Sequence, residues 1–273
     1  MNIVLINGIW ASTENPILNF SNRSFLYGDG LFESMLWKDA RLHLPEEHIA
    51  RLKRGMQLFE MKIPEFLDAG WLAENTKVLI GKNAITGMAR VRLNIFREGG
   101  GVYTPQMPDV KYVLSGFPIK EDYSSPVRTM GVFHSVTKPK GELSNYKTTS
   151  SAVYVLAGLF ARKNSLDDAF ILNTDGNITD AVSSNVFIIK DDKLITPPLT
   201  DGCLDGVMRK FILANCHQSG LKGMEKSVTI SMVEEADEVF LTNAVARIRS
   251  VLQFAEKKFK TDITGRLKAE ILP

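Results

Sequence analysis

Residues 168–197 read DAFILNTDGNITDAVSSNVFIIKDDKLITP, and this stretch decides the fold class. DAFILN is a short apolar run, TDGN is turn chemistry, and VSSNVFIIK and KLITP are two further strand patterns rich in Val, Ile and Phe. Strand–turn–strand units this close together pair antiparallel. Helical spacing appears on either side, near 149–163 (SSAVYVLAGLFARK) and at about 206–218 (GVMRKFILANCHQ), and ADEVFLTNAV adds a later strand. The first half follows a similar plan. MNIVLINGIWASTENP reads as strand, Asn7–Gly8 turn and strand, and GLFESMLW and RLHL read as two more strands. PEEHIARLKRGMQLFE is a helix with Pro45 at its start and Ile49, Leu52, Met56 and Phe59 at helical spacing. A second helix covers about 64–85, and strands follow at MARVRLNIFRE and VKYVLSGF.

This order predicts an α+β protein of two domains: a small N-terminal α/β domain over 1–118, and a larger C-terminal domain over 126–273 with a barrel-like, mostly antiparallel sheet. PIKEDYSSP, polar and flanked by prolines, is the expected connection, with a linker at 119–125. A length of 273 residues agrees with about two domains.

Composition narrows the function classes. Lys and Arg total 33 against 31 Asp and Glu, a formal charge of +2, which disfavours electrostatic nucleic-acid binding and a polybasic membrane anchor. Cys203 and Cys216 make neither a disulfide framework nor a four-Cys zinc site. His43, His48, His134 and His217 are scattered without ligand spacing, so no metal site is expected. No apolar run approaches the roughly 18 residues of a membrane helix, and the start lacks the basic and apolar regions of a signal peptide. These features predict a cytoplasmic enzyme.

Three segments could bind an anion. DGVMRKFIL opens a helix at a glycine, and helix starts expose unpaired N–H groups at a positive dipole end. Ser183 and Ser184 precede an apolar strand and offer hydroxyl and backbone donors. Arg51 lies off the apolar stripe of its helix and could form a charge-assisted fork with phosphate. Each also has a plain reading, as a turn glycine, a solvent-facing serine pair and a surface charge. Lys147, just before a helix rich in small apolar residues, reads either as a solvated lysine or as a partly desolvated nucleophile. Asp180 reads on its own as a turn-flanking acid.

Taken together, the segments resemble the fold-type IV pyridoxal 5'-phosphate (PLP) enzymes, the class IV aminotransferase family. That family includes branched-chain aminotransferases, D-amino acid aminotransferases and 4-amino-4-deoxychorismate lyases. NRSFLYGDGLFES resembles its Arg-x-x-x-x-Gly-Asp-Gly-x-Phe-Glu segment, and HIARL its His-x-x-Arg-Leu helix. Lys147 lies ten residues before Ala157, as the family's Schiff-base lysine does, and ITDAVSSNVF, GVMRKFIL and EVFLTNAV follow in family order. The resemblance implies PLP held between the two domains by Arg51, Ser183, Ser184, the amides of Val207 and Met208, and the turn of Asn243 and Ala244. It implies Lys147 as the catalytic lysine, Asp180 at the pyridine nitrogen, Phe32 and Arg97 on the substrate side, and a homodimer. Asp180 is one methylene shorter than the family's usual Glu, and Ala152 replaces the Tyr that branched-chain enzymes carry five residues after the lysine.

The expected reaction moves an amino group between a small amino acid and a 2-oxo acid. The alternative is the lyase that yields 4-aminobenzoate and pyruvate, a step toward folate. GLFES favours the aminotransferases, and the Asn-containing turn TNAV favours the lyases. A third reading, motivated by Asp180, is a degenerate homologue that binds a phosphorylated ligand without catalysis.

Overall fold

The computed structural model describes residues 2–14, 20–119 and 125–272. Two compact units comprise 1–122 with 146–150, and 123–145 with 151–273. Most of the linker expected at 119–125 lies outside the described residues.

In the first unit, the chain runs β1 (Ile3–Ile6), β2 (Ile9–Ser12), α1 (Arg23–Tyr27), β3 (Gly30–Lys38), β4 (Arg41–Leu42), α2 (Pro45–Leu58), α3 (Ala69–Lys82), β5 (Ala89–Arg97) and β6 (Val110–Pro118). The strands form one sheet in the order β2-β1-β6-β5-β3-β4, antiparallel at every pairing. Helix α2 starts as its sequence predicts, with Pro45 in the first turn beside Glu46 and Glu47, where the helix dipole favours acids. Helix α3 starts later than 64, because the Asp68 side chain accepts from Trp71 N–H at 2.7 Å and caps the helix there. Helices α2 and α3 cover one face of the sheet, and Leu31, Met35, Leu93, Ile95 and Leu114 meet Leu52, Met56, Leu72 and Leu79 in that core.

In the second unit, β7 (Met130–Lys138) leads through a loop and a short 3-10 turn to α4 (Ala152–Lys163). The chain continues through β8 (Asp168–Asn173), β9 (Ile178–Ala181), β10 (Asn185–Lys190), β11 (Lys193–Thr196), α5 (Val207–Asn215), β12 (Lys222–Glu225) and α6 (Ile230–Glu235). It ends with β13 (Glu238–Asn243), β14 (Arg247–Val251), β15 (Gln253–Phe254), β16 (Lys257–Lys258) and α7 (Asp262–Ile271). The stretch 168–197 forms β8, β10 and β11 where strands were expected, and adds β9 between the turn and the Ser183–Ser184 pair. The sheet is mostly antiparallel, with parallel pairings at β7–β8, β11–β12 and β7–β15. It curls back on itself, since β10 also pairs β13, β13 pairs β14, and Val251 at the end of β14 bridges Val127 just ahead of β7. That last contact is an isolated bridge and not a strand pairing, so the sheet approaches a barrel without being a closed one. Phe170, Ile188, Val239 and Leu241 fill its apolar side. Among the described residues no helix is long and apolar enough to cross a membrane.

Candidate active site

Alternation along β3 sends Leu31, Glu33 and Met35 toward the helices. Glu33 therefore brings a charge into an apolar layer and needs partners there. Helix α2 supplies two, three residues apart on one face: Arg51 Nε donates to Oε1 at 2.8 Å, its Nη2 donates to Oε2, and His48 Nδ1 lies 2.6 Å from Oε2. All three are buried. Burial pushes the Glu33 carboxyl up, but Arg51 and then His48 outweigh it and bring it down to about 2. Arg51 is thus not off the apolar stripe as its spacing suggested. A buried carboxylate on β3 holds it inside.

The opposite face of β3 carries Phe32. The two-residue β4 pairs only with Trp37 and Lys38, which leaves the first half of β3 with an open edge. Residues 147–149 fill it: Phe32 N–H donates to the Lys147 carbonyl at 2.9 Å, and Thr149 N–H donates to the Gly30 carbonyl at 2.9 Å. This pairing groups Lys147 with the first unit, although the sequence had assigned it to the second domain. It also delays the start of α4 from 149 to 152. Lys147 is half-buried, with Nζ 4.7 Å from the Phe32 ring centroid. Arg92 reaches the same ring from β5, its Cζ 3.7 Å from the centroid, and its Nε donates to Asn94 at 3.0 Å. An amine and a guanidinium thus meet one aromatic ring.

Arg92 is not among the residues singled out from the sequence, which put Arg97 on the substrate side. The alternation of β5 carried the signal. Arg92 and Asn94 pair with Ser34 and Phe32 and share their face, while Arg97 lies at the strand end, paired with Val110. Arg97 is buried, its Nε donating to Asp29 at 3.0 Å and its terminal nitrogens to the Phe59 and Glu60 carbonyls just past α2. Its guanidinium holds the chain just past the end of α2. Asp29 also accepts from Arg23 Nε at 2.8 Å, and the Arg23 terminal nitrogens donate to the carbonyls of residues 100–103. The loop after β5 is tied down by this pair.

In the second unit, Asp180 on β9 is 1% exposed. Its Oδ1 accepts from Asn185 Nδ2 at 3.2 Å and Leu204 N–H at 3.1 Å; its Oδ2 accepts from Lys138 Nζ at 2.6 Å and Tyr154 Oη at 3.4 Å. The tyrosine hydroxyl is raised well above its ordinary range by burial and then by Asp180. Asn185 also donates to the Leu204 carbonyl at 2.8 Å, which fixes the approach to α5. Gly206 follows, and a Cβ there would fall 1.9 Å from Asn185 Oδ1, so only glycine fits. Helix α5 starts with no side-chain cap, and its Val207 and Met208 amides precede the first intrahelical donor, Lys210 N–H.

Asn243, at the end of β13, donates to the Ser183 carbonyl and to Ser184 Oγ, both at 3.2 Å, and accepts from Val245 and Ala246 N–H at 3.0 and 2.7 Å. It ties the Ser183–Ser184 turn to its own. Ser184 is buried, Ser183 is exposed and Ala244 is half-buried. Lys138, Tyr154 and Asn185 had not been assigned roles, because their partners are distant in sequence and carry no motif spacing.

Taken unit by unit, the chemistry matches what PLP presents: in the first an amine that suits an aldehyde, and in the second an uncapped helix start and a buried serine hydroxyl that suit a phosphate, and a buried carboxylate that suits a ring nitrogen. The chain is 28% identical over 255 residues to the aminodeoxychorismate lyase of Bacillus subtilis (strain 168), covering 90% of this chain and 84% of that protein. It is 26% identical over 286 residues to the D-alanine aminotransferase of Bacillus licheniformis, covering 98% and 94%. The branched-chain amino acid aminotransferase of Thermobaculum terrenum in its PLP form shares the fold, with a TM-score of 0.85 at 21% identity, over 98% of this chain and 92% of that one. The profile of the family described as Amino-transferase class IV matches residues 30–254, and with that span the chain belongs to the class IV aminotransferase family, whose members depend on PLP.

Proposed function

We propose that this protein is a PLP-dependent aminotransferase that moves an amino group between a small amino acid and a 2-oxo acid, with Lys147 as its catalytic residue. The observation that carries this reading is the trio of Lys147, Phe32 and Arg92, an amine and a fixed guanidinium meeting on one ring. When bound, PLP supplies an aldehyde that links to an amine and a conjugated ring that withdraws electrons from the substrate Cα. With PLP bound, the Lys147 amine would hold its aldehyde and would take and return the proton at the substrate Cα. Arg92 receives a substrate carboxylate through charge-assisted hydrogen bonds, and Phe32 gives the flat wall that orients it. Arg51, Ser183, Ser184 and the Val207 and Met208 amides hold the phosphate, with Asn243 bracing the serine turn and Ala244 beside it. Asp180 lies at the ring nitrogen. The working form is a cytoplasmic homodimer acting on free small molecules, with no nucleic-acid or membrane partner.

One observation favours a second reading, 4-amino-4-deoxychorismate lyase: Asn243 and its bonds to Ser183 and Ser184 build the Asn-containing turn that resembles the lyases. A substrate panel with purified, PLP-loaded protein separates the two. Amino transfer that requires a 2-oxo acid supports the aminotransferase. Pyruvate released from aminodeoxychorismate without an acceptor overturns it in favour of the lyase.

A further inference from the structure

Asp168, the first residue of β8, is 4% exposed, and its Oδ1 accepts from Ala169 N–H at 2.8 Å and from Val182 N–H at 2.9 Å. Strands β8 and β9 pair antiparallel as far as Phe170 opposite Ala181, so the next pair in register would join Ala169 to Val182. Val182 N–H turns to the Asp168 carboxylate instead, and β9 leaves the sheet there. The Val182 side chain packs against the apolar cluster of Phe133, Ala157, Ala161 and Ile171. The turn closes when Ala181 N–H donates to the Ser184 carbonyl at 2.8 Å. Among the described residues, the N–H groups of Ser183 and Ser184 have no acceptor. Asn243 grips the same turn from its other side. Its Oδ1 accepts from Val245 and Ala246 N–H, which fixes its Nδ2 toward Ser183 and Ser184. Ser184 Oγ is the acceptor in that contact, so its own proton is left to donate elsewhere.

We infer that Asp168 is a positioning residue: by taking the Val182 amide it holds the Ser183–Ser184 turn in the form that offers two backbone N–H groups and one hydroxyl to a single anion. Successive unpaired amides in a turn make such an anion-binding concavity. The inference rests on the reading of this turn as part of the seat for the PLP phosphate. The tie needs an acceptor oxygen and not a charge. Burial raises the Asp168 carboxyl against the pull of the Val182 and Ala169 amides, and a full negative charge beside the turn would repel a phosphate. An amide in place of the carboxyl therefore preserves the seat, whereas a methyl group releases Val182.

The test is titration of the full-length apo-protein with PLP and with pyridoxal, which has the same ring and aldehyde but no phosphate. The wild type is expected to bind PLP more tightly than pyridoxal. Asp168→Ala is expected to weaken PLP binding by roughly 10- to 100-fold, about the worth of a hydrogen bond to a charged group, and to leave pyridoxal binding unchanged. Asp168→Asn keeps the acceptor and should match the wild type. Amide hydrogen exchange of the wild-type apo-protein reads the tie without any substitution. There the Val182 N–H should exchange more slowly than those of Ser183 and Ser184, which should slow in turn when PLP binds. The inference is overturned by unchanged PLP affinity in a folded Asp168→Ala variant, or by equal weakening of both ligands. It is overturned equally by an Asp168→Asn variant that behaves as Asp168→Ala, or by a Val182 amide that exchanges as fast as its two neighbours. A wild type that binds pyridoxal as tightly as PLP removes the phosphate reading of the turn itself, and that outcome is distinct from one confined to the variants.

Discussion

Glu33 grips Arg51 through both carboxylate oxygens inside the layer between β3 and α2, and His48 closes the group. Removing one member of a buried pair leaves the other charge uncompensated, at a cost of about 3–5 kcal/mol. Glu33→Gln is therefore expected to lower unfolding stability by that amount and to release Arg51 from its fixed orientation. Urea denaturation at neutral pH measures the loss. A change under about 1 kcal/mol would show that the group is not held by charge.

Acid should weaken the same group. The folded value of Glu33 lies near 2 against an ordinary 4.5, so the stability it contributes is complete above about 4.5 and is lost as pH falls through about 2. The size is of the order of a few kcal/mol, as for one carboxylate held ionised by buried partners. Stability of the wild type measured from pH 6 down to pH 2 should fall more steeply than that of Glu33→Gln. Parallel curves would count against the assignment.

Arg92 and Arg97 should behave oppositely on substitution. Arg92→Met is expected to cut kcat/KM for amino acid by roughly 10- to 100-fold, about the worth of a hydrogen bond to a charged group, with PLP still bound. Arg97→Met is expected to act on stability, since its guanidinium serves Asp29 and two carbonyls past α2. Steady-state kinetics beside thermal melts distinguish them. Equal kinetic losses in two equally stable variants would remove the distinction.

Much of this was legible beforehand, and its limits are physical. The strands of 168–197 and the first turn of α2 follow from local chemistry, since turn residues, alternation and a helix-start proline act over a few positions. What escaped depends on pairing between distant residues. The start of α4 moved to 152 because residues 147–149 complete the edge of β3, and nothing within 147–152 announces that neighbour. Arg51 looked exposed because its partner lies 18 residues earlier on another element. Lys138 and Asp180 are 42 residues apart and meet only because β7, β8 and β9 are adjacent in the sheet.

Gly206 marks the start of α5 by sterics. A methyl group there would collide with Asn185 Oδ1, which is held through its amide by Asp180 and Leu204. Gly206→Ala is expected to displace Asn185 or the helix start, costing about 1–3 kcal/mol of stability and weakening PLP binding by at least about tenfold. Titration of the apo-protein with PLP reads the affinity. Unchanged affinity would mean that the phosphate does not rest on this helix.

The role proposed for Lys147, carrying PLP, is open to direct chemical trapping. Purified protein loaded with PLP and reduced with borohydride should yield, on proteolysis and mass spectrometry, one pyridoxyl-phosphate group on the peptide containing Lys147. Lys147→Ala should yield none and should lose the visible absorbance of the bound cofactor. A wild-type protein that takes up no PLP, or one that carries the group on another lysine such as the buried Lys138, would overturn the role proposed for Lys147.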